Sequence, residues 1–334
     1  MSGGPAIVIA EMPEAAGRDL SIERQQLPPS ASIGTFTYRG DKEALIDACR
    51  DAEAILTDYV PFDDSVLQHL HRCRIISVAA TGWDCVDVRA AAARGIAVSC
   101  IGEYCTQEVA DHTLALLLAL NRRLLAYHEQ VQTRRDWRWN EVRDVQRLAG
   151  RTLGLIGFGR IGQAVCRRAR AFGLEVLASD PRMDEQTARR HEARLCVVDE
   201  LLAASHVVSL HCNLHPGNVG LLNRDAFARM RQRPLLINVA RGGLIVEADL
   251  VRALDMGQVS GAALDVLAQD SPDLGRHPLA GRADVLLTPH VAFYSEASLA
   301  DLRRISAQNI AAFLQGRVVD VFRLVSQREV ASSA

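Results

Sequence analysis

Short runs of apolar, β-prone residues recur along the chain, separated by longer stretches in which apolar and polar residues interleave. The runs are AIVIAEM at 6–12, AILT at 54–57, IISVAA at 75–80, TLGLIGFG at 152–159, LEVLAS at 174–179, HVVSLHC at 206–212, PLLINVA at 234–240 and DVLLTPH at 284–290. Between them apolar residues fall three and four apart, as from Glu247 to Met256, which predicts helices that bury one face. Strands covered on both faces read as continuous apolar runs, so the alternation predicts an α/β protein built on doubly wound parallel sheets. Two longer helices are expected, one from about Thr106 into the 120s and one from about Glu296 to Gln315. The second follows the last strand, where a chain that has completed a second domain often returns to its first. The expected organisation is a discontinuous outer domain at 1–102 and 294–334, an inner domain at 103–293, and a cleft where the two long helices cross.

Composition narrows the function classes. At roughly 150 residues per domain, a chain of 334 residues holds about two domains, each able to bury a core without staples. With 38 Lys and Arg against 40 Asp and Glu the net charge is −2, which argues against nucleic acid or an anionic membrane as partner. The apolar stretch from Thr113 to Leu120 stops at Asn121, Arg122 and Arg123, well short of the ~18 apolar residues that a membrane span needs. The N-terminus carries Glu11 and Glu14 and no basic-then-apolar signal, so a cytoplasmic location is expected. Eight cysteines are scattered with no CxxC pair, which reads as reduced, mostly buried thiols and no metal site.

One glycine motif has the context that gives it meaning. Gly157-Phe158-Gly159-Arg160-Ile161-Gly162 follows an apolar strand-like run and opens a helix-like segment. In that setting the first glycine permits the tight turn, the second lets backbone approach a pyrophosphate, and the third lets helix and strand pack closely. Free N–H groups at the helix start, with Arg160 beside them, face the phosphates. Asp180 ends the next strand, 18 residues beyond Gly162, where a carboxylate accepts hydrogen bonds from the adenosine ribose. That acid would repel a 2′-phosphate, so NAD is expected over NADP, although Arg182 lies close by.

Three polar segments sit at the ends of predicted inner-domain strands: Asn238 to Gly243, Ala262 to Val266 with Asp270 behind it, and Thr288-Pro289-His290. Open parallel sheets present their ligands at such ends. Arg241, Asp270 and His290 supply a fixed cation, a carboxylate and an imidazole. The set suits reduction of a 2-oxo acid: the guanidinium holds the carboxylate and polarises the ketone, the imidazolium donates a proton, and the acid orients the imidazolium. His211, His112 and His215 are read as packed, hydrogen-bonded or loop residues, and Cys85 and Cys212 as packed thiols.

The chain resembles the D-2-hydroxyacid dehydrogenase family over about residues 50 to 325. The segments that carry the resemblance are ATGWDCVDVRAAAARGI (80–96), EVADHTLALLLAL (108–120), RLAGRTLGLIGFGRIG (147–162), HCNL (211–214), INVARGGLIVEADLVRAL (237–254), GAALDV (261–266) and LTPHVAFYSEAS (287–298). The spacings, 29 residues from Arg241 to Asp270 and 20 more to His290, also look like the family's. Within it the chain looks most like the branch containing C-terminal-binding protein. The resemblance implies two Rossmann-like domains with an interdomain cleft, NAD as cofactor, and reversible reduction of a 2-oxo acid to a D-2-hydroxy acid. It implies that N–H groups of Thr81 and Gly82 cradle the substrate carboxylate, that Trp83 and Phe293 wall the pocket, and that Asp265 and the Ala240 carbonyl hold the nicotinamide amide. Asn213 would pass under the cofactor, and Val109 would begin the helix facing its phosphates. The segment at 124–142, with Trp137 and Trp139 among Arg134, Arg135, Arg138 and nearby Arg143, could stack on single-stranded nucleic acid. The resemblance implies instead a homodimer contact. Two other readings stay open at this point: an NADH-sensing dimeric regulator like C-terminal-binding protein, and a dehydrogenase of a small anion such as phosphite.

Two departures stand out. Ala80 stands where many members carry Gly. Asp270 stands where the family usually has Glu, and its shorter side chain withdraws the carboxylate by about 1.5 Å, one C–C bond. A weaker partner raises the imidazole's pKa less, so reduction should lose rate at a lower pH than in the family at large. Asp270→Glu is therefore expected to move the alkaline limb of the reduction rate to higher pH, and an unchanged pH profile would remove the argument.

Overall fold

The computed structural model describes residues 4–269 and 271–325. It divides into two compact units, one made of the chain up to Cys105 together with the chain from Ser295 on, the other of Thr106–Tyr294.

The first unit is a parallel sheet of β1 (Ala6–Glu11), β2 (Ser32–Thr37), β3 (Ala54–Thr57), β4 (Ile75–Val78) and β5 (Ala97–Cys100), in the order β2-β1-β3-β4-β5. β3 and β4 are buried along their whole length, as their unbroken apolar or small residues require. The helix Glu296–Leu314 lies on this sheet with a small-residue face that includes Ala307, Ala311 and Ala312, and Ser77 Oγ donates to the Ser306 carbonyl at 3.1 Å. A capping box between Ser295 and Ser298 starts that helix. It is also tied by Arg303, whose Nε donates to the fully buried Glu23 carboxylate at 2.7 Å.

The second unit is a seven-stranded parallel sheet: β6 (Thr152–Ile156), β7 (Glu175–Ser179), β8 (Ala193–Leu195), β9 (Val207–Leu210), β10 (Leu235–Asn238), β11 (Gly261–Leu264) and β12 (Val285–Leu287). Its order is β12-β11-β10-β9-β6-β7-β8. The chain winds outward from β6 through β7 to β8, then returns to lay β9 on the other side of β6. That reversal opens a crevice at the carboxyl ends of β6 and β9, where ligands of open parallel sheets bind. The helix Thr106–Asn121 packs against the helix Arg160–Ala171, and Arg168 bridges them through Asp111 (2.6 Å) and Gln107 (2.9 Å).

β2, β5 and β8 escape the apolar-run pattern. β2 and β8 are sheet edges with solvent on much of their surface, and their Ser, Thr, Gly and Arg residues carry little strand signal. β5, Ala-Val-Ser-Cys, is buried but short and built of small residues. Among the described residues no helix is long and apolar enough to cross a membrane, and no group of His, Cys, Asp or Glu could hold a metal ion.

Candidate active site

The glycine loop occupies the crevice between β6 and β9. Gly157 has φ +95°, and a Cβ there would lie 2.6 Å from the Cys212 nitrogen and the His211 carbonyl carbon, so only glycine lets the turn pass the end of β9. Gly162 abuts the carbonyl oxygen of Gly157, which locks helix against strand. Gly159 differs: no atom lies within 4 Å of where its Cβ would be, leaving an open face at the helix N-terminus next to exposed Arg160 and half-buried Ile161. Asp180, after β7, accepts the N–H of Phe158 at 2.9 Å and that of Arg182 at 2.9 Å. This is a cradle with room for a pyrophosphate and a carboxylate at its rim. Val109 is buried in the helix Thr106–Asn121, whereas Asn213 is exposed just beyond β9.

At the end of β10, buried Asn238 closes its own turn. Its Nδ2 donates to the Arg241 carbonyl (2.9 Å) and its Oδ1 accepts the Ala240 N–H (3.0 Å). Arg241 Nη1 donates to the Ala240 carbonyl at 2.9 Å, which bends the guanidinium back along the strand end. A side chain at Gly242 would collide with the Leu267 carbonyl, so this turn lies directly against the segment after β11. Glu247 anchors that segment by accepting the Ala268 N–H (2.7 Å) and pairing with His277 Nε2 (3.3 Å). Asp270 lies outside the described residues.

β11 and β12 end side by side, Leu264 paired with Leu287, so Asp265 and Thr288 are neighbours. The wholly buried Asp265 carboxylate accepts from Thr288 Oγ1 (2.5 Å) and Val291 N–H (3.0 Å) at Oδ1, and from Ala292 N–H (2.9 Å) at Oδ2. His112 Nε2 lies 3.1 Å from Thr288 Oγ1. These donors differ from the nicotinamide amide that the resemblance implies for Asp265. The turn they hold carries His290, exposed, at φ +54°, with the ring of Phe293 edge-on at 6.3 Å between centroids. Sequence reasoning takes His112 as packed or hydrogen-bonded and names Thr288 only as part of the segment before His290, giving neither a role; the register of β11 against β12 is what brings both to Asp265.

In the first unit, the loop after β4 leaves the N–H groups of Thr81 and Gly82 without a protein acceptor among the described residues. Adjacent free N–H groups of this kind suit an anion. Trp83 follows, with the guanidinium carbon of Arg323 4.9 Å from its ring centre, a cation–π contact with no signature in the sequence. His211 is no proton donor: burial holds its pKa down at about 3, and its Nε2 pairs with Ser209 Oγ at 2.8 Å. Burial likewise pushes the Cys212 thiol up to about 11, and the Cys85 thiol to about 12, so neither is a nucleophile at neutral pH.

Residues 114–292 match the family model of the D-isomer specific 2-hydroxyacid dehydrogenase NAD-binding domain. The chain belongs to this family. It is 36% identical over 291 residues to a hydroxypyruvate reductase of Blautia hydrogenotrophica, covering 84% of this chain and 88% of that protein. A glycerate dehydrogenase of Methylorubrum extorquens is 34% identical over 285 residues, with the same shares covered. Among solved structures, a D-lactate dehydrogenase of Aquifex aeolicus with NAD and lactic acid superposes with a TM-score of 0.84 at 27% identity, covering 96% of this chain and 98% of that one. The chain is thus an NAD-dependent D-2-hydroxyacid dehydrogenase, reducing a 2-oxo acid. These relatives do not favour the regulator or the phosphite reading, and they do not bear on the C-terminal-binding-protein branch.

The dehydrogenase's glycine loop yields a direct check. Gly157→Ala puts a side chain against the end of β9 in a left-handed turn, so NADH should bind at least about tenfold more weakly, a loss of about 1.4 kcal/mol, by fluorescence titration. Unchanged affinity would mean that the cofactor does not use this loop.

Proposed function

We propose that this dehydrogenase reduces a short, polar 2-oxo acid, with hydroxypyruvate the leading candidate and D-glycerate its product. The relatives named for hydroxypyruvate and glycerate support the substrate. The observation that carries the mechanism is His290: an exposed imidazole on a left-handed turn at the sheet's carboxyl edge, walled by Phe293. Gly157, Gly159, Gly162, Arg160, Ile161 and Asp180 hold the dinucleotide, with Ala240, Asn213 and Val109 bordering it. The bound nicotinamide supplies the electrons and hydrogen that the ketone carbon takes up. Arg241, always protonated, binds the substrate carboxylate and draws charge toward the ketone oxygen. His290 gives that oxygen its proton, and Asp270 steadies the charged ring. Thr81 and Gly82 N–H groups bind the substrate carboxylate, and Trp83, pinned by Arg323, limits the side chain that fits beside it.

NADH oxidation followed at 340 nm against glyoxylate, hydroxypyruvate, pyruvate, branched and aromatic 2-oxo acids tests the substrate. Hydroxypyruvate is expected to give the highest kcat/KM, above about 10⁴ M⁻¹s⁻¹, with NADH preferred over NADPH because Asp180 opposes a 2′-phosphate. A branched or aromatic acid turned over about tenfold better would overturn the assignment.

We infer a homodimer joined through residues 124–142. Trp137 and Trp139 are 88% and 84% exposed, with Leu124 and Leu125 also open to solvent. Hydrogen bonds hold this surface in shape: Tyr127 Oη donates to the Trp139 carbonyl (3.0 Å) and Gln130 Nε2 to the Arg138 carbonyl (2.7 Å). Exposed apolar surface of this kind marks an interface, and a two-fold contact uses it twice. Cys49, Cys73, Cys85, Cys166, Cys196 and Cys212 are free thiols, which suits a reducing compartment, so we place the enzyme in the cytoplasm. Sedimentation should give a dimer that Trp137→Ala with Trp139→Ala dissociates; a concentration-independent monomer would refute the interface.

A further inference from the structure

His290 sits on a backbone conformation that costs a non-glycine residue roughly 1–3 kcal/mol. Such a turn persists only where its surroundings over-determine it, and here one residue does most of that. Asp265 accepts the N–H of His290 at its main-chain carbonyl (2.8 Å) and the N–H groups of Val291 and Ala292 at its two carboxylate oxygens. Three consecutive N–H groups of the turn therefore point at Asp265. The grip is as firm as the carboxylate is fixed.

Two side chains from other elements fix it. Thr288 Oγ1 lies 2.5 Å from Asp265 Oδ1 and has one proton to give, which goes to the carboxylate because an ionised carboxylate can only accept. The hydroxyl's lone pairs then face His112 Nε2 at 3.1 Å, which also lies 3.6 Å from Oδ1. The hydroxyl has already given its proton to the carboxylate, so its oxygen can only accept from His112, and the ring therefore carries a proton on Nε2. The chain of donors thus runs from the helix Thr106–Asn121, through the end of β12, to the carboxylate at the end of β11.

We propose that Thr288 and His112 are positioning residues for the reduction: they orient the Asp265 carboxylate, which holds the His290 turn in its left-handed form and aims the imidazole. The inference rests on the assignment of His290 as proton donor. Neither residue touches the reacting atoms. Their effect should fall on the chemical step far more than on cofactor affinity, because the glycine loop and Asp180, which hold the pyrophosphate and ribose, sit at the ends of β6 and β7, away from Thr288 and His112.

The test uses the full-length enzyme in five variants: Thr288→Val, which keeps shape and loses the hydroxyl; Thr288→Ser, which restores it; His112→Leu; His112→Gln, whose amide nitrogen replaces Nε2; and His290→Ala. A displacement near 1 Å at a reacting group can cost about 100-fold in rate, so Thr288→Val should lower kcat at least about tenfold, with the Kd for NADH changed less than about twofold. Thr288→Ser should recover most of that loss, and His112→Gln should recover most of the smaller loss in His112→Leu. The inference is overturned if Thr288→Val turns over near the wild-type rate, if Thr288→Ser is as impaired as Thr288→Val, or if NADH affinity falls in step with kcat, as general loosening would produce. The His112 pair decides the matter if the valine variant does not fold. Wild-type turnover in His290→Ala would instead remove the proton donor, a failure read independently of the Thr288 and His112 results.

Discussion

A carboxylate taken out of water at the end of a central strand is costly unless hydrogen bonds replace its hydration. Asp265 meets that cost with donors drawn from the turn that carries His290: the N–H groups of Val291 and Ala292 and the hydroxyl of Thr288. The penalty that would be paid for leaving the carboxylate unpaired is what keeps the turn closed. His290 is exposed and conformationally unfavourable on its own, and it is presented by a buried, fully hydrogen-bonded neighbour. In the proposed mechanism stability and function meet here, because the polar groups that satisfy the core are those that aim the imidazole.

The parallel sheet accounts for why these groups come together. All strands of the second unit run the same way, so the turns after β6, β7, β9, β10, β11 and β12 gather at one edge. The reversal between β6 and β9 opens the crevice for the dinucleotide, and the glycines let backbone pass where a side chain would strike Cys212, His211 or the Leu267 carbonyl. Arg241 and His290 leave neighbouring parts of the same edge. In the proposed mechanism these are the fixed cation and the imidazole that a carboxylate-bearing ketone needs, on turns closed by Asn238 and Asp265.

Much of this was legible in the sequence because it depends on short-range signals. Continuous apolar runs gave away most of the inner strands, the glycine spacing located the dinucleotide turn, and Arg241 and His290 stood out as chemistry at strand ends. The signals fail where structure depends on register or tertiary contact. β2, β5 and β8 are short or lie at an edge and lack an apolar run. Thr288 and His112 lie 176 residues apart and meet only because β12 pairs with β11 and the helix Thr106–Asn121 lies alongside. The resemblance assigns Asp265 to the nicotinamide amide; the three protein donors that its carboxylate also accepts are encoded by no motif. The contact of Arg323 with Trp83 joins the C-terminal segment to a loop some 240 residues earlier and leaves no local trace.

His290 is proposed to move the proton in both directions of the reaction. The most direct measurement is kcat/KM against pH for 2-oxo acid reduction and for D-2-hydroxy acid oxidation in the same enzyme. Reduction requires the protonated ring and oxidation the neutral one, so the two profiles should run in opposite directions, reduction falling and oxidation rising with pH. Profiles that are flat, or that move in the same direction with pH, would contradict the assignment.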